Sequence, residues 1–225
     1  FLVQISVRDP KHPEKYFGGD ELWKKSEQIL IEEVKKWGRP YIVEEGEAAF
    51  YGPKIDIMVK DSIGRRWQLT TVQLDFNQPE NFKMRYMGED GQEHAPAVLH
   101  VAILGSVERF MGILIEHFAG AFPVWLAPAQ VYVGTVGEAH SEAARKLGKK
   151  LMEAGVRVEV DDGADTVGYK IRKAEKQKIP YMLIIGDKEK LLRNVTVRIR
   201  GAQEQKKMSV SAFVKRVKKE IETKR

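Results

Sequence analysis

The strongest constraint on the fold of this chain is a change of pattern at residues 122–128. The segment Phe122-Pro-Val-Trp-Leu-Ala-Pro128 places two prolines around a short apolar stretch, and prolines commonly mark boundaries between elements. Before it, strand-like patterns follow one another through short turns; after it, strands alternate with helices. In a chain of 225 residues, this change predicts two domains, which we place at residues 1–127 and 128–225.

Charge is divided unevenly between the two halves. Residues 1–128 carry 15 basic and 19 acidic side chains, a net charge of −4, whereas residues 129–225 carry 23 basic and 13 acidic ones, a net charge of +10. A compact segment with a charge of +10 attracts polyanions, of which nucleic acid is the usual one. A solvated lysine-rich face that favours solubility is the alternative explanation.

Composition excludes several classes of protein. Hydrophobic residues make up 43% and charged residues 31% of the chain, which is typical of a soluble globular protein. Cysteine is absent, which excludes disulfides and thiolate chemistry within this chain. The longest apolar stretch, Val107 to Phe118, is interrupted by charges and is too short for a membrane span. The chain begins with neither methionine nor a signal pattern. We therefore expect a cytoplasmic protein without membrane association, and one that is part of a longer chain.

The first half shows the pattern of an α+β domain. Apolar residues recur at helical spacing after Asp20, which we expect to cap a helix that ends before Gly38. Residues 54–60 alternate with period two, and residues 66–76 are predicted to be their hairpin partner. Further strands are predicted at residues 82–86 and 98–104, and a second helix from Ser106. Strands connected by hairpins, with helices packed against them, predict an antiparallel sheet.

The second half shows strand–helix alternation. Strands are predicted at residues 131–136, 156–160, 181–185 and 194–199, with helices at 138–154 and 166–178 and a last one near the C-terminus. This alternation predicts an open, mostly parallel α/β sheet. Ligands of such sheets bind beyond the carboxyl ends of the strands, here near residues 161–163 and 186–189.

Arg109 stands at the start of a predicted helix, after Gly105 and the potential N-cap Ser106. A cation there faces the positive end of the helix dipole, which is unfavourable by a few tenths to about 1 kcal/mol. A bound phosphate would reverse that cost, because helix N-termini and arginine both favour anions. An ion pair with Glu108 or another acid is the alternative.

Two predicted strands carry polar residues that allow two interpretations. His100 lies within the apolar strand 98–104, where a lone histidine is more often a core residue than a metal ligand. Strict alternation places Thr71 and Gln73 on one face of their strand and Gln68 on the opposite face, unless a bulge intervenes. These polar side chains form either the floor of a polar binding site or an ordinary solvent-exposed face.

The basic half offers candidate contacts to nucleic acid. The helix at 166–178 and its end carry five cations that can neutralise phosphates: Lys170, Arg172, Lys173, Lys176 and Lys178. Glu189 follows the strand at 181–185, where a carboxylate can accept hydrogen bonds from a base edge. A local salt bridge is the alternative for that glutamate.

Several motifs resemble one known family. They are Phe50-Tyr-Gly-Pro-Lys54, Trp67-Gln-Leu-Thr-Thr-Val-Gln-Leu-Asp-Phe76, His100-Val-Ala-Ile-Leu-Gly-Ser-Val-Glu-Arg-Phe110, Ile115-Glu-His-Phe-Ala-Gly120, Trp125-Leu-Ala-Pro128 and Pro180-Tyr-Met-Leu-Ile-Ile-Gly-Asp-Lys-Glu189. In order and over essentially the whole chain, they resemble the bacterial threonyl-tRNA synthetases, which belong to class II. The resemblance implies part of a class II catalytic core with an antiparallel sheet, followed by an anticodon-binding α/β domain.

The resemblance also implies roles for individual residues. Arg109 resembles the arginine of motif 3, which contacts ATP phosphates and is the expected catalytic residue. His100 matches one ligand of a zinc ion that binds threonine; the other two ligands are not in this chain. The remaining implied positions are Lys54, Gln68, Thr71 and Ser106 for ATP, Tyr51 and Gln73 for threonine, and Lys188, Glu189 and Arg198 for the anticodon.

Some positions depart from the family pattern. The first two class II motifs are not in this chain. Val101 stands where arginine is usual, Ala48 where glycine is usual, and Ala164 at a position that reads the anticodon. The departure at Ala164 concerns part of the base readout that the resemblance implies and leaves the electrostatic attraction of the second domain unchanged.

The resemblance implies a threonine–tRNA ligase that uses ATP with Mg²⁺ and Zn²⁺, has tRNA(Thr) and threonine as partners, and forms a homodimer. This chain alone is expected to be catalytically incomplete. The alternative from another functional class is a non-catalytic RNA-binding fragment or accessory protein that retains the anticodon-binding domain. A class II enzyme with a different amino-acid specificity is a third, weaker alternative.

Overall fold

The computed structural model describes residues 1–202 and 204–224. The chain divides into two compact units, Phe1–Gly112 and Ile113–Arg225. We refer to them as unit 1 and unit 2 and describe each by itself. The domain boundary that the sequence places after residue 127 remains a prediction.

The first part of the chain contains seven described strands and three described α-helices. They are β1 (Leu2–Val7), α1 (Asp20–Lys36), β2 (Tyr41–Glu45), β3 (Lys54–Lys60), β4 (Arg66–Asp75), α2 (Asn77–Asn81), β5 (Tyr86–Met87), β6 (Glu93–His94), β7 (Val98–Ala102) and α3 (Val107–His117). The division between the units falls within α3.

Unit 1 is built on a five-stranded sheet in the order β2-β1-β3-β4-β7. All neighbouring strands are antiparallel except β1 and β2, which are parallel. One face carries Ile5 and Ile55, which form a buried cluster with Leu30 and Val34 of α1. Because side chains alternate across a strand, the polar residues between these apolar ones lie on the opposite face.

The structure confirms the hairpin of β3 and β4 and the helix after Asp20, and it corrects three details. Asp20 does not cap α1: Gly19 is the N-cap, and the Asp20 carboxylate accepts a hydrogen bond from Arg8 instead. The strand predicted at residues 82–86 is wrong, because only Tyr86 and Met87 of this region form a strand. The sheet is not wholly antiparallel, because β2 joins it in parallel at the edge.

The second part of the chain contains five described strands and three described α-helices. They are β8 (Val131–Thr135), α4 (Ser141–Glu153), β9 (Val158–Asp161), α5 (Val167–Lys176), β10 (Tyr181–Ile185), β11 (Asn194–Ile199), β12 (Gln205–Ser209) and α6 (Val210–Glu222).

Unit 2 is an open mixed sheet in the order β12-β11-β10-β8-β9. The strands β9, β8 and β10 are parallel, as predicted, whereas β11 and β12 are antiparallel to their neighbours. Leu147 of α4 and Phe213 of α6 lie in one buried cluster. Ala174 of α5 lies in another, with Tyr132 and Met182. The helices therefore cover both faces of the sheet, as in other α/β folds.

No helix in the described ranges, 1–202 and 204–224, has both the length and the apolar character needed to cross a membrane.

Candidate functional site

The polar face of unit 1 brings together residues from three neighbouring strands. In the pairing register, Gln73 of β4 lies opposite Lys54 of β3 and His100 of β7. Thr71 lies opposite Asp56 in the same way. Paired side chains in adjacent strands have Cβ atoms about 5 Å apart. The sheet therefore assembles a continuous polar surface from residues that are up to 46 positions apart in sequence.

A β-bulge in β4 decides which side Gln68 faces. The register of β3 and β4 shifts between Ile57 and Met58, so that Leu69 is the extra residue. An extra residue reverses the alternation beyond it. As a result, the side chains of Gln68 and Thr71, three positions apart, both reach the carboxylate of Asp56. Strict alternation would have separated them.

His100 and Asp75 form a pair at the end of β4. The Nε2 atom of His100 lies 2.8 Å from Asp75 Oδ2, and 44% of the histidine side chain is exposed. His100 is therefore not a packed core residue, which was one of the two interpretations of the sequence. Asp75 is buried, and its other oxygen accepts hydrogen bonds from the amides of Asn77 and Gln78 at the start of α2.

The environment of Asp75 keeps it ionised. Burial alone raises the pKa of this carboxyl, but the hydrogen bonds from the Gln78 amide, His100 and the Asn77 amide outweigh burial and hold the pKa below its ordinary value. A charged carboxylate at one ring nitrogen favours a proton there and leaves the other nitrogen of His100 as an acceptor.

A tight turn brings Tyr51 to the same end of the sheet. The Tyr51 ring lies edge-on to the His100 ring, with their centroids 6.4 Å apart. Gln73 donates to the carbonyl of Gly52 over 3.1 Å. A Cβ atom at Gly52 would meet the carbonyl oxygen of Leu74 at 2.0 Å, so only glycine fits at this position. Tyr51, Gln73 and His100, which the resemblance assigns to threonine, are thus neighbours.

Arg109 lies beside the same polar face, and its side chain contacts a backbone carbonyl there. Its backbone N–H donates to Ser106 Oγ over 3.3 Å, which confirms Ser106 as the cap of α3. Its guanidinium donates from Nη1 to the carbonyl of Gln68 over 3.3 Å. In the described parts of the chain no ion pair of Arg109 is found. The alternative of a local salt bridge with Glu108 is therefore wrong.

Within the described residues, no group of three or more histidine, cysteine, aspartate or glutamate side chains is arranged to hold a metal ion. His100 is the metal ligand that the resemblance implies, and its partner Asp75 is typical of the carboxylates that orient metal-binding histidines. Any metal at this position would need ligands from outside the described residues.

In unit 2, two of the predicted anticodon residues line one cavity. This cavity, of about 290 Å³, lies between α5 and the strands β10 and β11, and its wall includes Glu189, Thr196 and Arg198. Glu189 accepts a hydrogen bond from Thr196 Oγ1 over 2.9 Å. Arg198 approaches Glu175 only at 3.9 Å. The wall of this cavity thus includes a carboxylate and a guanidinium, together with apolar side chains.

Two further positions of the sequence analysis fall elsewhere in unit 2. Ala164 lines a larger cavity of about 860 Å³, which shares Val136 with the first cavity. Lys188 is exposed in the turn after β10 and lines neither of these two cavities. Both cavities lie at the carboxyl ends of the parallel strands, where the sequence predicts a ligand.

The basic helix α5 is less available to phosphates than its sequence predicts. Lys170 is fully buried and donates to the carbonyls of Thr135 and Gly163 and to Thr135 Oγ1, over 2.7 to 3.0 Å. Lys173 is bound to Asp161 at 2.9 Å, and Lys178 donates to the carbonyl of Ala119. Three of the five cations therefore serve contacts within unit 2, whereas Arg172 and Lys176 are exposed.

Sequence reasoning missed two acidic residues of the unit 1 site. Asp56 and Asp75 are both buried and both bind predicted site residues. A signal was present: Asp56 stands between Ile55 and Ile57 in an alternating strand, so its side had to be the polar one. Whether this polar face of β3 is exposed or buried depends on the neighbouring strands. The alternation within β3 does not reveal those neighbours.

Family comparisons agree with both units. Residues 9–118 match the model of the family described as tRNA synthetase class II core domain (G, H, P, S and T). Residues 130–220 match the family described as anticodon binding domain.

Curated relatives match the chain over its whole length. It is 50% identical over 225 residues to the threonine–tRNA ligase of Carboxydothermus hydrogenoformans, covering 100% of this chain and 35% of the relative. It is 52% identical over 224 residues to that of Caldanaerobacter subterraneus, covering 100% of this chain and 34% of the relative. The chain thus spans about a third of the length of these relatives.

Solved structures agree with the family models and the curated relatives. The RNA binding domain of threonyl-tRNA synthetase from Cryptosporidium parvum matches with a TM-score of 0.85 and 34% identity, covering 96% of this chain and 54% of that one. A putative threonyl-tRNA synthetase from Aeropyrum pernix matches with a TM-score of 0.67 and 28% identity, covering 99% and 54%. The chain belongs to the class II aminoacyl-tRNA synthetases and matches the C-terminal part of threonine–tRNA ligases.

Proposed function

We propose that this chain works in an ATP-dependent threonine–tRNA ligase, in which unit 1 contributes to the site of adenylate formation and unit 2 binds the anticodon of tRNA(Thr). One observation carries the proposal. Lys54, Gln68, Thr71, Gln73 and His100, which were selected from separate motifs, lie on a single polar face of one sheet.

The reaction has two steps. The carboxylate of threonine attacks the α-phosphorus of ATP, and pyrophosphate leaves. The terminal ribose hydroxyl of the tRNA then attacks the carbonyl carbon of the adenylate, and AMP leaves. Neither step needs a covalent intermediate on the protein, so positioning and charge stabilisation account for the catalysis.

In this proposal, Arg109 binds the polyphosphate of ATP, where it meets the charge that develops as pyrophosphate leaves. Its neutral partner, the Gln68 carbonyl, is weaker than a carboxylate and yields readily to a phosphate. Lys54 adds a second cation, and Ser106 caps the helix that carries Arg109. Mg²⁺ would accompany ATP, as is usual for nucleotide substrates.

Tyr51, Gln73 and His100 form the proposed threonine site. His100 fits the role of a metal ligand as far as this chain goes, because Asp75 holds one ring nitrogen and leaves the other available. A zinc ion, when bound, would supply a Lewis-acid contact to the amino group and hydroxyl of threonine. Such a contact rejects valine, which lacks the hydroxyl, more strongly than an apolar pocket does.

Glu189 and Arg198 form the proposed base-reading pair of unit 2, with Lys188 as a nearby phosphate contact. A carboxylate accepts hydrogen bonds and a guanidinium donates them, so a base in this cavity meets both kinds of partner. For the intact protein we further propose a cytoplasmic homodimer, as the family resemblance implies. Its mass in analytical ultracentrifugation tests the dimer.

The decisive experiment is ATP–pyrophosphate exchange with the protein expressed together with any coding sequence that precedes Phe1. We expect exchange that depends on threonine and falls roughly 100-fold or more in Arg109→Ala, as when a transition-state donor is removed elsewhere. Exchange that depends on another amino acid would show that the proposed specificity for threonine is wrong. Binding of tRNA without any exchange would instead support an RNA-binding module.

A further inference from the structure

Asp56 is the most completely buried charged group in unit 1 that the proposed function leaves without a role. It lies in the centre of β3 and is 0% exposed. Its neighbours on either side in sequence, Ile55 and Ile57, point to the opposite, apolar face. An isolated carboxylate in such a place is strongly unfavourable, so its partners need an explanation.

Four hydrogen bonds satisfy the carboxylate. Oδ1 accepts from Gln68 Nε2 over 2.6 Å and from Thr71 Oγ1 over 2.7 Å. Oδ2 accepts from Lys54 Nζ over 2.5 Å and from Ser6 Oγ over 3.4 Å. Two carboxylate oxygens offer about four acceptor sites, so this arrangement uses all of them.

Three of these four donors are the residues proposed to bind ATP. They come from two strands, and within β4 the bulge at Leu69 is what brings Gln68 to the carboxylate. Asp56 itself lies beneath them, fully buried. We infer that Asp56 is a positioning residue of the nucleotide site, which fixes the orientation of Lys54, Gln68 and Thr71.

The carboxylate also sets which atoms these residues offer to a ligand. Because a carboxylate only accepts hydrogen bonds, the amide of Gln68 must turn its nitrogen toward Asp56. The same nitrogen donates to Thr71 Oγ1 over 3.0 Å, and the hydroxyl proton of Thr71 is committed to Asp56. Gln68 and Thr71 are therefore left with acceptor atoms, which suit donor groups such as ribose hydroxyls.

Lys54 complements this arrangement. Its ammonium uses one N–H for Asp56 and keeps two others. Lys54 is the first residue of the central strand β3. Its remaining N–H groups can donate to a phosphate oxygen or a ribose oxygen of a bound nucleotide. Losing the carboxylate would release all three side chains together.

The inference rests on the proposed function, and its test uses the same exchange assay. In Asp56→Asn, an amide nitrogen replaces one acceptor oxygen and faces a donor. We expect the KM for ATP to rise roughly tenfold or more, as for other residues that orient binding groups, and the KM for threonine to change less than threefold. No neutral side chain of similar size at position 56 is expected to restore the KM for ATP.

Two control variants make the result specific. Ser6→Ala removes the long, 3.4 Å contact to the same carboxylate, together with a 3.3 Å contact from Gln4 Nε2 to the serine hydroxyl. Because the three shorter hydrogen bonds to Asp56 remain, we expect its KM for ATP to stay within about threefold of the wild type. Asp75→Asn replaces the other buried carboxylate, beside His100, and should raise the KM for threonine more than that for ATP. Asp56 would then affect the binding of ATP, and Asp75 the binding of threonine.

The outcomes separate the two proposals. If the wild type shows no exchange, the proposed function fails and the inference falls with it. If the wild type exchanges but Asp56→Asn only lowers the melting temperature and leaves the KM for ATP unchanged, Asp56 is structural and the inference alone is overturned. If Asp56→Asn does not fold, Asp56→Ser, which is smaller and can both accept and donate, replaces it in the same measurement.

Discussion

Among the described residues, each unit of the molecule buries one charged side chain completely, and the two have opposite signs. Asp56 in unit 1 is surrounded by side chains, three of which are candidate ligand contacts. Lys170 in unit 2 is surrounded mainly by backbone, the carbonyls of Thr135 and Gly163. The same burial therefore serves different ends: the carboxylate orients side chains, whereas the ammonium holds two pieces of chain together.

A second contrast concerns two histidine–aspartate pairs. In unit 1, His100 is 44% exposed beside Asp75, so part of its ring is accessible. In unit 2, the His140 side chain is only 10% exposed beside Asp187, and its Nδ1 atom is buried without a hydrogen-bond partner in the described structure. Two similar pairs thus differ in whether the histidine ring stays accessible.

The largest expected effect separates these two histidines. We expect His100→Ala to lower threonine-dependent exchange on the order of 100-fold, because a metal contact to the substrate contributes several kcal/mol. His140→Ala is the matched control and should leave exchange unchanged in folded protein. Full threonine-dependent exchange in His100→Ala would contradict the assignment of His100 to the threonine site.

The next largest effect tests the buried lysine. Lys170→Ala should lower the free energy of unfolding of unit 2 by about 3 kcal/mol, because it leaves a cavity and unpaired carbonyls. Hydrogen exchange of the β8 and β10 amides reports this unit separately. Lys176→Ala, an exposed change in the same helix, should stay within about 0.5 kcal/mol. Equal protection in both variants would show that Lys170 does not hold the fold.

Base discrimination gives a smaller effect. Glu189→Ala should weaken the preference for the cognate anticodon roughly 10- to 100-fold, because one base-edge contact is worth about 1–3 kcal/mol. The measurement is competition between tRNAs that differ only in the anticodon. A uniform loss of affinity for every tRNA would mean that Glu189 does not read a base.

The smallest effect concerns Lys188, the exposed neighbour of Glu189. Lys188→Ala should weaken binding equally for all tRNAs and reduce the slope of log affinity against log salt by about 1, as expected for one phosphate contact. Filter binding at several salt concentrations measures this slope. A change in anticodon preference would instead place Lys188 at a base edge.

The local sequence pattern was sufficient to predict the strands whose alternation or apolar run matches their place in the sheet. The alternation of residues 54–60 predicts β3 with its observed bounds, and the apolar run of residues 181–185 predicts β10 in the same way. By contrast, β12 is Gln-Lys-Lys-Met-Ser, which has no strand pattern. It is a strand because it pairs with β11, and such pairing is not encoded locally.

The sequence could predict which residues belong to the candidate site, but not how the strands bring them together. The motifs indicated Arg109, His100 and Gln73 through the family resemblance, and the cap at Ser106 followed from local chemistry alone. The bulge at Leu69 and the burial of Asp56 depend on how three strands meet. For the same reason Lys170 was interpreted as a phosphate contact: a helix pattern does not reveal which cation the fold will enclose.

The backbone acceptor beside Arg109 has a consequence for how the site responds to its ligand. The guanidinium rests on the Gln68 carbonyl at the bulge, a dipole without net charge. If Arg109 binds ATP as proposed, the incoming phosphates can take up the arginine without first breaking an ion pair, and the arginine can return to the carbonyl when they leave. A carboxylate in the place of that carbonyl would compete with the phosphates for the same cation.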